Sequence, residues 1–355
     1  MITQKQHPRQ YALHKSEYDA VYKDIMVNGL DANGPYTRKC QDYIKKITGR
    51  KHIFMTNSGT AAITAAIYAL DLFDKKVAVG SYNYVACVNQ IKAFCRPVFI
   101  DCDENTLIDI NEIPMDCDAV MLVNYWGNIV NYNQIAKKFK GKIITDCSQS
   151  FGATYVGKND GYFGDVSIFA FGGQKPIGTR GFTGAIATDD DGVAHRIDCA
   201  INQGKVGERR DVPTEMLGFR GTPQELQCGI LSVGMKHWKK WLKKRQKIAR
   251  HIMKSLVQCP IRFLESNDHC EPSYYRIAFE VEKMQDFVSH MQKQGIDAQS
   301  TFMDDFNQLW GTTKKKMPMT QKMISHVASL PLSPFFTDGE VEKIIVSVKK
   351  YFNQG

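Results

Sequence analysis

From His52 onward the chain alternates short, unbroken apolar runs with helical stretches, and this alternation limits the fold more than any other feature. Ile53-Phe54-Met55 precedes a strongly helical Ala61 to Leu70, and Val77-Ala78-Val79 precedes a helix over Tyr84 to Ala93. Strand patterns at Pro97 to Asp101, Ala119 to Asn124 and Lys142 to Asp146 follow, with a helix over Gln134 to Phe139 among them. Two more strands are expected at Val166 to Phe171 and Gly184 to Thr188. Apolar runs without polar alternation predict strands covered on both faces. Strands separated by helices predict an α/β fold with a mostly parallel sheet flanked by helices.

Ahead of this region, helices are expected over Lys15 to Val27, closed by Gly29, and over Tyr36 to Ile47 after an Asn33-Gly34-Pro35 turn. Beyond it the texture changes. Gln224 to about Val257 reads as one long helix, with Trp238, Trp241, Leu242, Ala249 and Ile252 at 3-and-4 spacing. Six lysines from Lys236 to Lys247 fall mostly between them. That pattern describes one buried stripe and one solvated face, not a nucleic-acid contact. A strand over Tyr275 to Val281 and helices over Lys283 to Gln294 and Asp338 to Phe352 suggest a smaller α+β unit. The expected division is a large domain over residues 1–223, and a linking helix with a small C-terminal domain over 224–355.

Composition narrows the class. With 43% hydrophobic and 23% charged residues, the 355-residue chain is globular, not disordered, and long enough for two units. Its 46 Lys and Arg against 37 Asp and Glu favour anionic partners. Stretches such as Ala61 to Leu70 fall short of the ~20 residues of a membrane span. Met1 to Gln10 is polar and basic with no apolar core behind it, unlike a secretory signal. Ten cysteines without a C-x-x-C pair are no disulfide scaffold and no zinc motif. Cys87, Cys95 and Cys117 read as small hydrophobes in strand-like runs. The expected compartment is reducing, hence cytoplasmic, with no membrane and no nucleic-acid partner.

Ligands of open α/β sheets bind at the carboxyl ends of the strands, and three loops there stand out. Asn57-Ser58-Gly59-Thr60 joins a strand to a helix. Its small residues suit an anion at the helix N-terminus, while Ser58 is equally suited to capping that helix. Asp146 ends a buried strand ahead of Cys147-Ser148-Gln149-Ser150, and a buried carboxylate requires a partner: a cap, a metal or a cationic ligand atom. No His or second carboxylate nearby is spaced for a metal. Lys175 lies in a loop with Gly172, Gly173 and Gly178, where a dry lysine can act as a nucleophile. An anion cradle, a strand-end Asp and a pocket lysine together match the needs of pyridoxal phosphate, with Tyr84 as a candidate aromatic face or a core residue.

The chain resembles the sugar aminotransferases of the DegT/StrS type, fold type I pyridoxal-phosphate enzymes. The likeness runs from Gly34-Pro35 through Asn57-Ser58-Gly59-Thr60, Pro97 to Asp101, Asp146 to Ala153, Gly164-Asp165, Lys175 and Gln224 to Gln227, to Ser329-Leu330-Pro331-Leu332-Ser333-Pro334. The resemblance implies Lys175 as the Schiff-base lysine, Asp146 as partner of the ring nitrogen, and Gln149 beside the phenolic oxygen. It implies Gly59 and Thr60 as the phosphate cradle and Tyr84 as the stacking residue. Ala170 stands where the family has a phosphate-binding Ser, Pro176 where it has an Asn after the lysine, and Arg180-Gly181-Phe182-Thr183 where it has a glycine- and acid-rich stretch. Arg220 stands where the family has an Asn that reaches the neighbouring subunit's phosphate. By the same resemblance the protein is a homodimer that moves an amino group from L-glutamate to a nucleotide-linked keto sugar, such as a 4-keto-6-deoxyhexose. The alternatives are a keto-cyclitol substrate and a regulatory homologue without activity.

Overall fold

The computed structural model describes residues 1–206, 211–301, 303–310 and 315–353. Its largest sheet has seven strands: β1 (His52–Thr56), β2 (Lys76–Gly80), β3 (Arg96–Ile100), β4 (Ala119–Val123), β5 (Lys142–Asp146), β6 (Val166–Ala170) and β7 (Gly184–Thr188). Their spatial order is β1-β7-β6-β5-β4-β2-β3. Only β7 runs against its neighbours; the other pairings are parallel. The sheet is therefore mostly parallel, as the unbroken apolar strands require, and every residue of β4 is buried.

This topology puts the informative loops at one edge. Gly184 at the start of β7 pairs with Thr56 on one side and Ala170 on the other, and Asp146 pairs with Ile168. The loop after β1, the end of β5, and both ends of the β6–β7 loop thus meet. A side chain at Gly184 would come within 2.5 Å of the Ser58 carbonyl oxygen, so only glycine allows that closeness.

Helices α3 (Pro35–Thr48), α4 (Gly59–Ala69), α5 (Val85–Phe94), α6 (Tyr132–Lys138) and α7 (Asp191–Ile201) flank the sheet, and α1 (His7–Leu13) and α2 (Lys15–Asn28) pack outside them, with Val21 and Ile25 of α2 against Val233. Gly29 closes α2 in the left-handed conformation. Alanines on α4 let it pack closely against α7, a helix that the sequence reading passed over. Cys87 lies in α5 and Cys95 caps it, while Cys117 precedes β4; none is in a strand, although all three are buried. Their apolar neighbours are helical core positions, which short windows do not distinguish from strands.

Helix α8 (Glu225–Ser255) buries Trp241, Ile248, Ala249 and Ile252 and exposes the six lysines from Lys236 to Lys247. Its first residue, Glu225, is fully buried and accepts the N–H groups of Gly34, Tyr36 and Thr37 at 2.8–2.9 Å, capping α3 from across the fold. Beyond α8, strands β8 (Arg262–Phe263), β9 (Ile277–Glu280), β10 (Gln299–Ser300) and β11 (Val327–Leu330) form a second, antiparallel sheet in the order β8-β9-β11-β10. It packs with α9 (Met284–Lys293) and α11 (Asp338–Phe352), while Met323 of α10 (Pro318–His326) joins the apolar cluster of the main sheet. A separate apolar cluster here contains Phe279, Phe287 and Ile344, and Ile2 joins it by bridging to Ile296. Among the described residues no helix is long and apolar enough to cross a membrane.

Candidate active site

A cavity of about 860 Å³ opens where the three loops meet. Gly59, Thr60, Tyr84, Asp146, Gln149 and Lys175 all line it.

The β1–α4 loop forms one wall. Ser58 is extended and its hydroxyl accepts the Ala61 N–H at 3.1 Å, so it caps α4. Capping leaves the other leading N–H groups of the helix beside the cavity, at its positive end. Gly59 packs so closely on β6 that a Cβ there would lie 2.6 Å from that of Ala170. The loop is fixed from below: Asn57 N–H donates to the Gly221 carbonyl at 2.7 Å and its Nδ2 to the Arg220 carbonyl at 3.1 Å.

Asp146 is buried at the end of β5. Its Oδ1 accepts the Ser148 N–H at 2.8 Å, and its Oδ2 accepts from the Cys87 thiol at 3.2 Å. Gln149 is also buried, with Oε1 accepting the Trp126 N–H at 3.0 Å. Trp126 holds a left-handed backbone (φ 59°), a costly conformation for a bulky residue, and that turn aims its N–H at Gln149. Tyr84 is the N-cap of α5, with its N–H on Asn83 Oδ1 and the Tyr125 hydroxyl. Its side is open: Tyr84 is 43% exposed and is not a core residue.

Lys175 sits in the β6–β7 loop, which folds back on itself through Lys175 N–H to the Gly172 carbonyl and Thr179 N–H to the Phe171 carbonyl, both 2.9 Å. The Thr179 hydroxyl ties the loop to Gln227 of α8. Burial holds the Lys175 amine below its ordinary pKa, with the Asp146 charge opposing the shift. Its Nζ lies 5.5 Å from the centre of the Tyr275 ring.

Arg220 does not line this cavity; its side chain is exposed. The sequence reading also missed cavity residues. Cys87 and Ser148 adjoin residues it named, whereas Lys5, His7, Tyr275 and Gln299 come from both ends of the chain, with no local signal. The groups of His, Cys and Glu spaced for a metal among the described residues are His14, Glu17 and His237, and His195, Cys199 and Glu215. Neither touches the cavity.

Comparison with known proteins places the fold in a family. The model of the DegT/DnrJ/EryC1/StrS aminotransferase family matches residues 13–349. A dTDP-3-amino-3,6-dideoxy-alpha-D-galactopyranose transaminase of Aneurinibacillus thermoaerophilus is 28% identical over 323 residues, covering 85% of this chain and 86% of its own. A UDP-2-acetamido-2-deoxy-3-oxo-D-glucuronate aminotransferase of Pseudomonas aeruginosa is 26% identical over 96% of this chain and 97% of its own. The crystal structure of a DegT DnrJ EryC1 StrS aminotransferase from Brucella abortus superposes with a TM-score of 0.90 at 20% identity, over 97% of each chain. The chain belongs to the DegT/DnrJ/EryC1/StrS aminotransferase family.

It is a fold type I aminotransferase, and its cofactor is pyridoxal 5'-phosphate. The cavity fits that group. It offers a helix N-terminus, a buried carboxylate and a lysine amine. It also offers the Thr183 hydroxyl, which lies in its wall, buried, with no partner among the described residues.

Proposed function

We propose that the protein aminates a nucleotide-linked keto sugar, a 4-keto-6-deoxyhexose by preference, with L-glutamate as donor. One observation carries this reading: the Lys175 amine and the Asp146 carboxylate share a cavity large enough for cofactor and sugar together. The relatives named above act on dTDP- and UDP-linked sugars, which supports the substrate class.

In this reading Gly59 and Thr60 hold the cofactor phosphate, Tyr84 covers the ring and Gln149 lies beside its phenolic oxygen. Bound pyridoxal phosphate supplies an electron sink that acidifies the donor's α-proton. Lys175 is suited to take that proton, because burial favours its neutral amine. In the second half-reaction Lys175 Nζ delivers a proton to the sugar carbon that becomes the amine-bearing centre. Asp146 keeps a negative charge in the floor, where a protonated ring nitrogen is stabilised. The amine on the product comes from glutamate, which leaves as its keto acid.

The proposal includes a homodimer. Arg220 is exposed on the segment that fixes the Asn57 loop, which supports its reaching a partner's cofactor. Exposed Tyr22, Met26 and Val27 on α2 and exposed Phe182 and Leu217 give the chain apolar surface to cover. The division into residues 1–223 and 224–355 is supported by the second apolar cluster, and a cytoplasmic setting by ten free cysteines.

The test is a panel of keto substrates given to the purified holoenzyme with L-glutamate. Amination of a nucleotide-linked 4-keto-6-deoxyhexose is expected. Turnover confined to a keto-cyclitol would overturn the substrate class, and no turnover with any keto acceptor would favour a regulatory role.

A further inference from the structure

Lys5 and His7, from the start of the chain, line the cavity. Ile2 bridges to Ile296, and Gln4 is buried and held at three points. Its Nε2 donates to the Tyr275 carbonyl at 2.7 Å and the Gln174 carbonyl at 3.4 Å, and its Oε1 accepts the Leu332 N–H at 3.1 Å. These bonds pin the strand of chain that follows. Lys5 and His7 then lie in the cavity wall, facing the loop that carries Lys175.

Arg180 comes from that loop, five residues beyond Lys175, and lines the same wall. Its Nη2 donates to the His7 carbonyl at 3.0 Å, and among the described residues no carboxylate lies within ion-pair distance of it. Thr179, tied to Gln227, fixes the backbone just before it. An ammonium, an imidazole and a guanidinium therefore converge on one side of the cavity wall, while among the described residues the only carboxylate in that wall is Asp146. Such a set is not needed to seat the cofactor, whose phosphate has the α4 N-terminus.

Charge decides between two anionic candidates. The donor's α-carboxylate carries one charge and has to lie close to Lys175. A diphosphate carries at least two charges and leads from the sugar out to a nucleoside. Half-buried Arg180 with exposed Lys5 beyond it matches the second, since guanidinium and ammonium groups both bind phosphate oxygens. We propose that Lys5, His7 and Arg180 form the subsite for the diphosphate of the nucleotide-linked substrate; this rests on the function proposed above.

The test measures binding of UDP, dTDP and GDP to the holoenzyme by calorimetry, for wild type, Arg180→Gln and Lys5→Ala. Melting temperature serves as the folding control. Lys5 is exposed, so Lys5→Ala carries the test even where Arg180→Gln disturbs the loop. Wild type is expected to bind at least one of the three, with affinity about tenfold weaker in Arg180→Gln and several-fold weaker in Lys5→Ala. Affinities within twofold of wild type in both variants overturn the subsite and leave the substrate reading standing. A donor half-reaction slowed tenfold in Arg180→Gln, with nucleotide affinity unchanged, assigns the rim to the donor carboxylate and also overturns it. If wild type binds none of the three, the nucleotide-linked substrate itself fails, and the subsite with it.

Discussion

The thiol of Cys87 lies 3.2 Å from Oδ2 of Asp146, and the backbone N–H of Ser148 holds the other carboxylate oxygen at 2.8 Å. The donor to Oδ2 thus comes from α5, the helix that Tyr84 caps, so the floor and the side of the cavity are positioned by one element. Asp146→Asn keeps the shape and removes the charge. Turnover is expected to fall by orders of magnitude at an unchanged melting temperature. Near-normal turnover would leave Asp146 as no more than a turn cap. Cys87→Ala removes one weak thiol donor and is expected to cost about two- to tenfold, the scale of a single modest hydrogen bond.

Lys175→Ala is expected to abolish turnover while far-ultraviolet dichroism and melting stay native. Borohydride treatment of the wild-type holoenzyme should fix the cofactor covalently to Lys175, as read by peptide mass spectrometry. Label on a different lysine would sink the assignment.

Arg220→Ala is expected to weaken cofactor affinity about tenfold, as loss of a charged hydrogen bond would. The measurement is made on confirmed dimer. The Asn57 anchor is not the cause, because Asn57 bonds the Arg220 backbone carbonyl and not its side chain. Unchanged affinity would return Arg220 to an ordinary surface role.

Asp160 gives a pH prediction independent of catalysis. It is fully buried, its Oδ2 accepts from the Ser150 hydroxyl at 2.6 Å, and burial pushes its carboxyl up to about 8. The folded chain therefore keeps a proton that the unfolded chain releases near pH 4. Its stabilising contribution is complete below about pH 4 and is lost as pH rises to about 8, at up to about 1.4 kcal/mol per pH unit. Asp160→Asn is expected to flatten urea-derived stability between pH 5 and 8. An equally steep slope in the variant would place the linkage elsewhere.

Periodicity in the sequence was enough to mark the seven strands of the main sheet and the length of α8, because apolar runs and 3-and-4 spacing are local properties. The loops bearing Gly59, Asp146 and Lys175 were legible too, since strand-end position follows from strand order along the chain. Helix α7 was not, as its apolar residues are interrupted by Asp198 and His195. Glu225 shows the limit most plainly. In sequence it is one acid at the start of a helix; folded, it caps α3, nearly two hundred residues earlier. Lys5 and His7 are held at the cavity by long-range bonds, with Gln4 on the Tyr275 carbonyl and the Leu332 N–H and Arg180 on the His7 carbonyl. The sequence by itself determined the strands of the main sheet and most of its helices, and it marked the residues on which the proposed chemistry rests. Which distant segments close around them was decided by tertiary structure, since those contacts depend on long-range hydrogen bonds and burial that no local pattern encodes.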